Sequence, residues 1–558
     1  MFRPLDLSLW IWRPKPFRFF LLIGLGLEMA ALTVPGTAGS GPVTVQIGSG
    51  DALGLAQAIS NALAQSSGDG SLDVTSHTIS GSTAISTPTT EGAFHYEAVL
   101  GGTVSAGVSV PAAYQTVVNN GDASLEVDGA NLQVLSNTVG GTFNVTGTSS
   151  VAATGGDNVV LAAGTFVVSA GDGNDSIAGN GSGTIAGGSG KNVIYTPVGA
   201  PGAGVYVMSS GQDVVGTEGG AATIMSSGGQ SAIFGEYNGT LGSDLIVSIT
   251  GGQTTISAGN SSLTVTMAGT QGLVFGGTKS VPRALTAVDV GTNTTISAGD
   301  STATVTLQGT SAVVLGGTNT LTVLDNGLND TIAAASGSTT ITAGGNSNGL
   351  IAFGGTGPLT FVGGVNSATI IGGTGGTTLT GGAGGVQFVT AGDDSVIGGI
   401  GGATLYGSAG HQVTYSGVGD LQYLALLGNE TIDGGSASGN LHLFGSNTAG
   451  QNDRMIGGSG NDTLIAGGGA DTLSGGTGAN VFWFLNSNTT GTTDFITDFD
   501  ANSTVNFNGY SGTESAASLI AAATTGPSGV TLTLSDNTKV VFTNLSSSSS
   551  LTGHINYG

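Results

Sequence analysis

Short stretches of alternating apolar and polar residues, separated by glycine pairs, dominate the chain from about residue 151 to residue 485. A nine-residue unit recurs at 372–380, 381–389 and 398–406, with two glycines first and an apolar residue at the eighth position. Period-two alternation is typical of strands, and glycine pairs are typical of tight turns. The unit therefore predicts a turn of about six residues and then a three-residue strand with one inward side chain, stacked as a parallel β-solenoid.

A longer period supports this architecture. Residues 254–260 (TTISAGN) return as 294–300 (TTISAGD), and 264–266 return as 304–306, which is a shift of 40 residues. Propeller blades have periods of similar length, but the Trp-Asp and Gly-His signatures of that class are missing from the sequence. Several solenoid coils per unit fit better.

The two ends of the chain have different patterns. Asp51 to Gln65 carry apolar residues at helical spacing, which predicts an amphipathic helix that packs on or caps the β stack. Residues 66–150 favour short strands. Near the C-terminus we expect a helix from Ala516 to Ala523, and a hairpin from Val530 to Phe542. The fold class is therefore all-β, a parallel β-solenoid or β-roll with a short N-terminal helix and a C-terminal β-rich cap.

The amino-acid composition limits the fold classes and the binding partners that fit this sequence. Glycine is 104 of 558 residues without a Gly-x-y period, which excludes collagen, and the mean hydropathy of +0.27 is too high for a disordered chain. A formal net charge of −25 with only nine Lys and Arg argues against nucleic acid or an anionic membrane as partner. The negative charge favours a cation as binding partner, or its role is only to keep the protein soluble. Without cysteine, disulfides and thiolate metal sites are impossible.

The first 28 residues allow three interpretations. Basic residues precede the apolar run 19–27, as in a signal peptide. Alternatively, 1–28 are an upstream stretch included by a mis-assigned start, and the chain begins at Met29. A membrane anchor is the third interpretation, although Glu28 interrupts the short apolar run.

The nonapeptide becomes acidic near the C-terminus. Three units follow one another in frame at 457–465, 466–474 and 475–483, with Asp462, Asp471 and Asn480 at the sixth position. A degenerate copy of the repeat precedes them and contains Asp453. Ca²⁺ is a hard cation that takes six to eight oxygen ligands from carboxylates and backbone carbonyls. Glycines permit a positive φ and turn carbonyls inward.

This run resembles the RTX (hemolysin-type calcium-binding) family, whose G-G-x-G-x-D-x-U-x repeat it reproduces. The resemblance implies that turns 18 residues apart stack and share an ion, so that Asp453 pairs with Asp471 and Asp462 with Asn480. The second site has one carboxylate fewer, and we expect it to be weaker. The expected metal-site residues are Asp453, Asp462, Asp471, Asn480, Gly458, Gly460, Gly467 and Gly469.

A second acidic island surrounds Asp175. Asn158, Asp175 and Asn192 are spaced by 17 residues, near the spacing that stacked turns need. We include Asp175 as a candidate Ca²⁺ ligand. The repeats at 372–415 have Thr, Val, Ala or Gln at the acidic position, and we expect no ion there.

The flank at 494–500 (DFITDFD) resembles the segment that follows RTX repeats in secreted family members. The tail resembles the uncleaved C-terminal signal of type I export substrates, which implies type I secretion machinery as a partner and favours the Met29 start. We therefore divide the chain into 1–28 (leader or mis-assigned start), 29–150 (helix plus β region), 151–445 (degenerate solenoid), 446–485 (calcium-binding β-roll) and 486–558 (cap and secretion signal).

The sequence shows no enzyme motif. The five histidines are too far apart for a His-Glu-x-x-His site, and we expect His411 and His442 on solenoid surfaces. Asp393 and Asp394 fit turn positions or weak cation ligands. We expect a non-enzymatic extracellular or cell-surface protein, an adhesin, matrix or surface-layer component, with cell-surface glycan or self-association as further partners. The alternatives are a polysaccharide lyase or epimerase and a glycan-binding module.

Overall fold

The computed structural model describes residues 30–38, 40–47, 51–89, 95–121, 124–137, 140–196, 204–218, 220–236, 243–277, 283–408, 410–489, 491–510 and 514–558. The three interpretations of residues 1–28 concern a segment outside the described residues.

The described residues wind into a parallel β-solenoid of about 20 coils, which confirms the predicted fold class. Each coil gives one strand to each of two parallel sheets, so strands pair with the next but one along the chain. The strands Val159–Ser169 and Ser176–Ala186 are long enough to run through both sheets. Parallel strands lie about 4.8 Å apart, which sets the rise per coil.

The strands of the first sheet, besides those two, are Leu72–Thr78, His95–Gly101, Thr116–Asn119, Gln133–Ser136, Thr148–Ala152, Gly204–Ser209, Ala221–Ser226, Asp244–Ile249, Ser262–Met267, Ala284–Asp289, Thr302–Leu307, Leu321–Asp325, Thr339–Ala343, Leu359–Val362, Thr377–Thr380, Asp394–Gly398, Gln412–Gly417, Thr431–Ala437, Arg454–Ile456, Thr472–Ser474, Thr493–Ile496 and Lys539–Phe542. The strands of the second sheet are Thr83–Ala84, Ala106–Ser109, Leu125–Ala130, Thr142–Thr146, Val193–Thr196, Val214–Thr217, Ala232–Phe234, Thr255–Ser257, Leu273–Phe275, Thr295–Ser297, Val313–Leu315, Thr331–Ala333, Leu350–Phe353, Ala368–Ile371, Val386–Val389, Ala403–Tyr406, Leu421–Leu424, Leu441–Phe444, Thr463–Ile465, Val481–Leu485, Thr504–Asn508 and Ile555–Tyr557.

The core is a continuous column of inward side chains between the two sheets. The apolar eighth residues of the nonapeptides, Leu379, Phe388 and Leu405, are fully buried, as predicted. Because side chains alternate along a strand, the neighbours of each inward residue face outward. The parallel pairing of the solenoid begins at Leu72–Thr78 and continues across residues 150/151 and 445/446. The proposed domain boundaries therefore mark changes in turn chemistry, and as domain boundaries they stay predictions.

The predicted N-terminal helix is present at Asp51–Gly68. With the antiparallel pair Ala30–Val34 and Val43–Ile47 it covers the outer side of the first sheet. Its residues Ala56, Ile59 and Leu63 pack against one register row of that sheet, formed by Val99, Val118, Leu135 and Ala152.

The C-terminal cap contains the expected helix, at Ala516–Ala522. The expected hairpin joins Gly529–Thr533 to Lys539–Phe542, and Thr524–Gly526 adds an antiparallel strand. Within the part of the chain that the structure describes, the remaining helical elements are Asn486–Thr489 and the 3₁₀ turn Ser548–Leu551. The last strand stacks in parallel on Thr504–Asn508 and ends the second sheet. No helix among the described residues is long and apolar enough to cross a membrane.

Candidate metal centre

The acidic nonapeptides form consecutive coils near the C-terminal end of the stack. The second residue of each strand points inward, and Met455, Leu464, Leu473 and Phe482 are at most 1% exposed. This confirms the prediction of one inward apolar residue per repeat. The acid at the sixth position directly precedes each strand, so the strand fixes its height in the stack.

The acidic turns stack in the expected pairs. The backbone N–H of Asp453 donates to Oδ1 of Asp471 at 2.7 Å, and the N–H of Asp462 donates to Oδ1 of Asn480 at 2.9 Å. All four side chains are buried. The geometry therefore brings the four acidic and amide candidates together in two columns, one ahead of each sheet. Their role as metal ligands stays a prediction.

The second carboxylate oxygen closes the turn to which it belongs. Oδ2 of Asp462 accepts the N–H of Gly458, and Oδ2 of Asp471 accepts that of Gly467, both at 2.7 Å. Each carboxylate thus joins its own turn to the preceding coil. Asn480 has an amide nitrogen in place of the second oxygen, and its Nδ2 donates to the carbonyl of Gly476 at 3.4 Å.

The column ahead of the first sheet is longer than the sequence indicated. Oδ1 of Asp453 accepts the N–H of Glu430 at 2.9 Å, and the N–H of Asp471 donates to Oδ1 of Asp494 at 2.9 Å. Glu430, Asp453, Asp471 and Asp494 therefore form a row of four buried acids, one per coil, which we call the acidic column. From the sequence, Asp494 was assigned to the flank that follows the repeats, and Glu430 was not included among the site residues.

A shared signal could have found the two missed members. Each acid in the column is followed two residues later by a buried apolar residue, Ile432 after Glu430 and Ile496 after Asp494. Both acids lie 23 residues from their neighbour in the column, because loops lengthen those coils. A search for acids at nine-residue spacing therefore does not detect Glu430 and Asp494.

The acidic column holds its negative charges at an energetic cost. Burial, with the charge of neighbouring carboxylates, raises the pKa of Asp471 to about 6 and that of Asp494 to about 7. Burial and the charge of Asp453 raise the pKa of Glu430 to about 7, although its hydrogen bond with Tyr423 opposes the shift. A cation bound beside these oxygens would offset the cost.

The repeat glycines are required for a different reason from the one expected. None of Gly458, Gly460, Gly467 and Gly469 has a φ between +20° and +160°, so the expectation of left-handed turn positions is wrong for these four. They are needed because the turns stack closely. A Cβ at Gly458 would lie 2.3 Å from the carbonyl oxygen of Ala437, and one at Gly469 would lie 1.7 Å from that of Gln451.

Asp175, the candidate ligand outside the RTX repeats, belongs to a similar stack of turns. Oδ1 of Asp175 accepts the N–H of Asn158 at 2.7 Å, and its own N–H donates to Oδ1 of Asn192 at 2.9 Å. Asp213 continues this column, since its Oδ1 accepts the N–H of Asn192. Oδ2 of Asp175 is buried without a hydrogen bond among the described residues, and burial raises the pKa to about 6.

The remaining candidates lie where expected. His442 is exposed, and His411 is at the surface with Nδ1 3.5 Å from Oδ1 of the exposed Asp393. Asp394 is buried at the first position of the strand Asp394–Gly398, and its Oδ1 accepts the N–H of Thr377. Within the described ranges, no three acidic or histidine side chains form a metal-binding cluster. An ion in the stack would therefore need backbone carbonyls among its ligands.

Residues 448–482 match the family model of the RTX calcium-binding nonapeptide repeat, in four copies. These are RTX repeats. Comparisons with curated proteins and with solved structures gave no match. The match confirms the sequence-based identification of the repeats, and it identifies them as calcium-binding motifs.

The residues in the RTX coils fit Ca²⁺ by their donor chemistry. Their polar side chains supply oxygen, the carboxylates are buried beside one another, and the turn carbonyls approach the next coil closely. Bound Ca²⁺ supplies two positive charges that carboxylate and carbonyl oxygens coordinate. Asp453, Asp462, Asp471 and Asn480 would hold it, and Asp494 and Glu430 extend the acidic column on either side.

Proposed function

We propose that this chain is an extracellular structural or surface protein, of adhesin, matrix or surface-layer type, whose RTX coils fold on Ca²⁺ after export. The acidic column carries the proposal. Four buried acids at a spacing of about 4.8 Å repel one another when ionised, and their hydrogen bonds tie each turn to the next. Neutralising them therefore stabilises the stack itself.

The same columns would keep the coils open before export. Inside a cell with little free Ca²⁺, ionised carboxylates oppose stacking, and an unfolded chain suits threading through type I secretion machinery. Outside, at roughly millimolar Ca²⁺, binding free energy becomes folding free energy. The C-terminal cap packs on the last coils, so its folding follows theirs. We propose that the tail within this cap is the export signal.

Hydrogen exchange with and without a calcium chelator tests the proposal. We expect the amides of Thr463–Ile465 and Thr472–Ser474 to lose protection on chelation, while those of Thr302–Leu307 keep it. Asp471→Asn should weaken Ca²⁺ binding, measured by calorimetry, by at least about tenfold, because ligand charge sets affinity. The matched control is Asp330→Asn, a buried carboxylate that precedes a strand outside the repeats. Equal protection of 463–474 in both conditions would contradict the proposal.

One observation favours a second candidate function, glycan binding. An open groove of about 860 Å³ lies on the second sheet. Its lining includes the register row Thr369, Gln387, Thr404 and Gln422, whose hydroxyls and amides suit sugar hydroxyls. A glycan array tests binding, and turnover of uronate polymers tests the lyase or epimerase alternative. Binding lost in Gln387→Ala would support this function.

A further inference from the structure

One outward rank of the second sheet alternates between large and small residues. Strands such as Leu273–Phe275 direct their central residue inward and the other two outward. The residues in register with Phe275 on successive strands form the rank. Every second coil supplies a large apolar side chain, which we call the ridge residues: Leu161, Tyr195, Phe234, Phe275, Leu315 and Phe353. The coils between them supply small residues, the gap residues: Ala178, Gly216, Ser257, Ser297 and Ala333.

The ridge residues stand out from the sheet. Each is 37–45% exposed, whereas the gap residues are half-buried between them. The ring of Tyr195 lies beside the gap at Gly216: a Cβ added to Gly216 would be 3.5 Å from Cδ2 of Tyr195. The rank is therefore a row of ridges repeating every second coil, or about 9.6 Å.

The surrounding face carries no charge in either outward rank between Val159 and Phe353, although the chain has a net charge of −25. Val159, Val193, Val214 and Ile351 in the neighbouring rank are also exposed. Together with the ridge residues they offer roughly 700 Å² of apolar surface, which exceeds the largest patch of a typical monomer. At the margin of this face, the carboxylate of Glu218 accepts a hydrogen bond from the Tyr195 hydroxyl.

We propose that this face is a docking surface for a second copy of the chain. The two copies run antiparallel about a two-fold axis that passes between Phe234 and Ser257. Every ridge except Phe353 then lies opposite a gap: Phe234 faces Ser257 of the second copy, and Phe275 faces Gly216. Each copy buries close to the roughly 800 Å² per partner of a standard interface.

The alternation selects both the occupant and the register. A lipid surface or a flat polymer needs no two-coil period, whereas a copy of the same rank has the complementary one. A parallel pair in register would place ridge against ridge. Shifting the axis to lie between Ser257 and Phe275 would set Leu161 against the apolar Ile371. In the proposed register Phe353 meets Asn144, and the remaining ridges meet gaps.

Sedimentation of the full chain with saturating Ca²⁺, over about 1 to 100 µM, tests the proposal. We expect a dimer. Phe234→Ser combined with Phe275→Ser should weaken it by at least about 100-fold, since buried aromatic residues dominate interface energy. Ser257→Phe alone should also disrupt it, because it sets two rings against each other. Thr286→Phe places a new aromatic side chain on the first sheet and should change nothing.

Adding Phe234→Ser to Ser257→Phe gives the decisive variant. The two-fold axis then sets the new serine of each copy against the new phenylalanine of the other, so dimerisation should return. A dimer that tolerates loss of both phenylalanines, or one that the swap fails to restore, would overturn the interface. A parent that stays monomeric at every concentration, including one that binds vesicles, would overturn the choice of occupant. Hydrogen exchange of each variant monitors folding of the RTX coils separately, so failure of the calcium proposal is distinguishable.

Discussion

The buried carboxyl of Asp330 should make the middle of the solenoid lose stability as pH rises. Asp330 precedes Thr331–Ala333, and its Oδ1 accepts the N–H of Ala312 at 2.7 Å. Its Oδ2 is buried without a hydrogen bond among the described residues. Burial, followed by interaction with Asp325, raises its pKa to about 7 from the ordinary 3.8. The RTX columns are remote from this residue.

The sign follows from proton linkage. Because the pKa is higher in the fold, the folded state binds more protons between pH 4 and pH 7, and stability falls as pH rises through that window. A shift of this size corresponds to about 4 kcal/mol at full extent, as a ceiling. Asp330→Asn should remove the dependence. Asn retains an Oδ1 acceptor for Ala312, as Asn192 does in the equivalent hydrogen bond to Asp175.

Hydrogen exchange is the appropriate assay, since a solenoid unfolds locally rather than as one unit. After correction for intrinsic exchange, protection of the amides around 312–333 should fall from pH 5 to pH 8 in the parent and stay level in Asp330→Asn. At pH 8 the variant should be the more protected by about 2–4 kcal/mol. Asp300→Asn changes a half-buried carboxylate that accepts the Thr318 hydroxyl at the surface, and it is the control. Protection lost equally at every pH in Asp330→Asn would refute the reasoning.

Two further predictions concern the ends of the stack. Gly469→Ala should destabilise the RTX coils by about 1–3 kcal/mol, because its Cβ would meet the carbonyl of Gln451. Hydrogen exchange of the amides in these coils measures the loss, and Gly345→Ala is the control because a Cβ there would meet open space. Equal losses of local stability in the two variants would contradict the prediction. Glu97→Gln should protect the strand His95–Gly101 at pH 9 but not at pH 6. Burial raises the pKa of Glu97 to about 8, its carboxylate has no hydrogen bond among the described residues, and ionisation therefore destabilises the fold. Glu126→Gln, at an exposed site, should match the parent, and an unchanged Glu97→Gln would contradict the argument.

Local rules were enough to predict the strand and the turn of each repeat, whereas the stacking of Asp453 on Asp471 was expected from the resemblance to the RTX family. The period of nine fixes which residue points inward, and the same period repeated twice brings acids of neighbouring coils together. The helix at Asp51–Gly68 and the C-terminal hairpin followed from equally local patterns. These features depend on residues close in sequence, so no long-range information was needed.

Coil length limited the rest. Hydrogen-bonded turn residues are 17 residues apart at Asp175, whose partner is Asn158, and 23 apart at Asp494, because loops of different length leave the sheet and return to the same register. A fixed nine-residue frame therefore does not align Glu430 and Asp494 with the acids of the repeats. The reason for glycine at position 469 was also hidden, since a close approach between coils has no signature within one repeat.

The 40-residue period and the ridge have a common geometric origin. A shift of 40 residues moves Ser257 onto Ser297 and Phe275 onto Leu315, so one sequence unit spans two coils and contains one gap and one ridge. Adding or removing a whole unit leaves the alternation in phase on both sides of the change. Adding a single coil places two ridges or two gaps together and misaligns every later pair. If the face binds a second copy, the two-coil unit is therefore the smallest change in length that preserves the interface, whereas packing of the core alone would accept one coil.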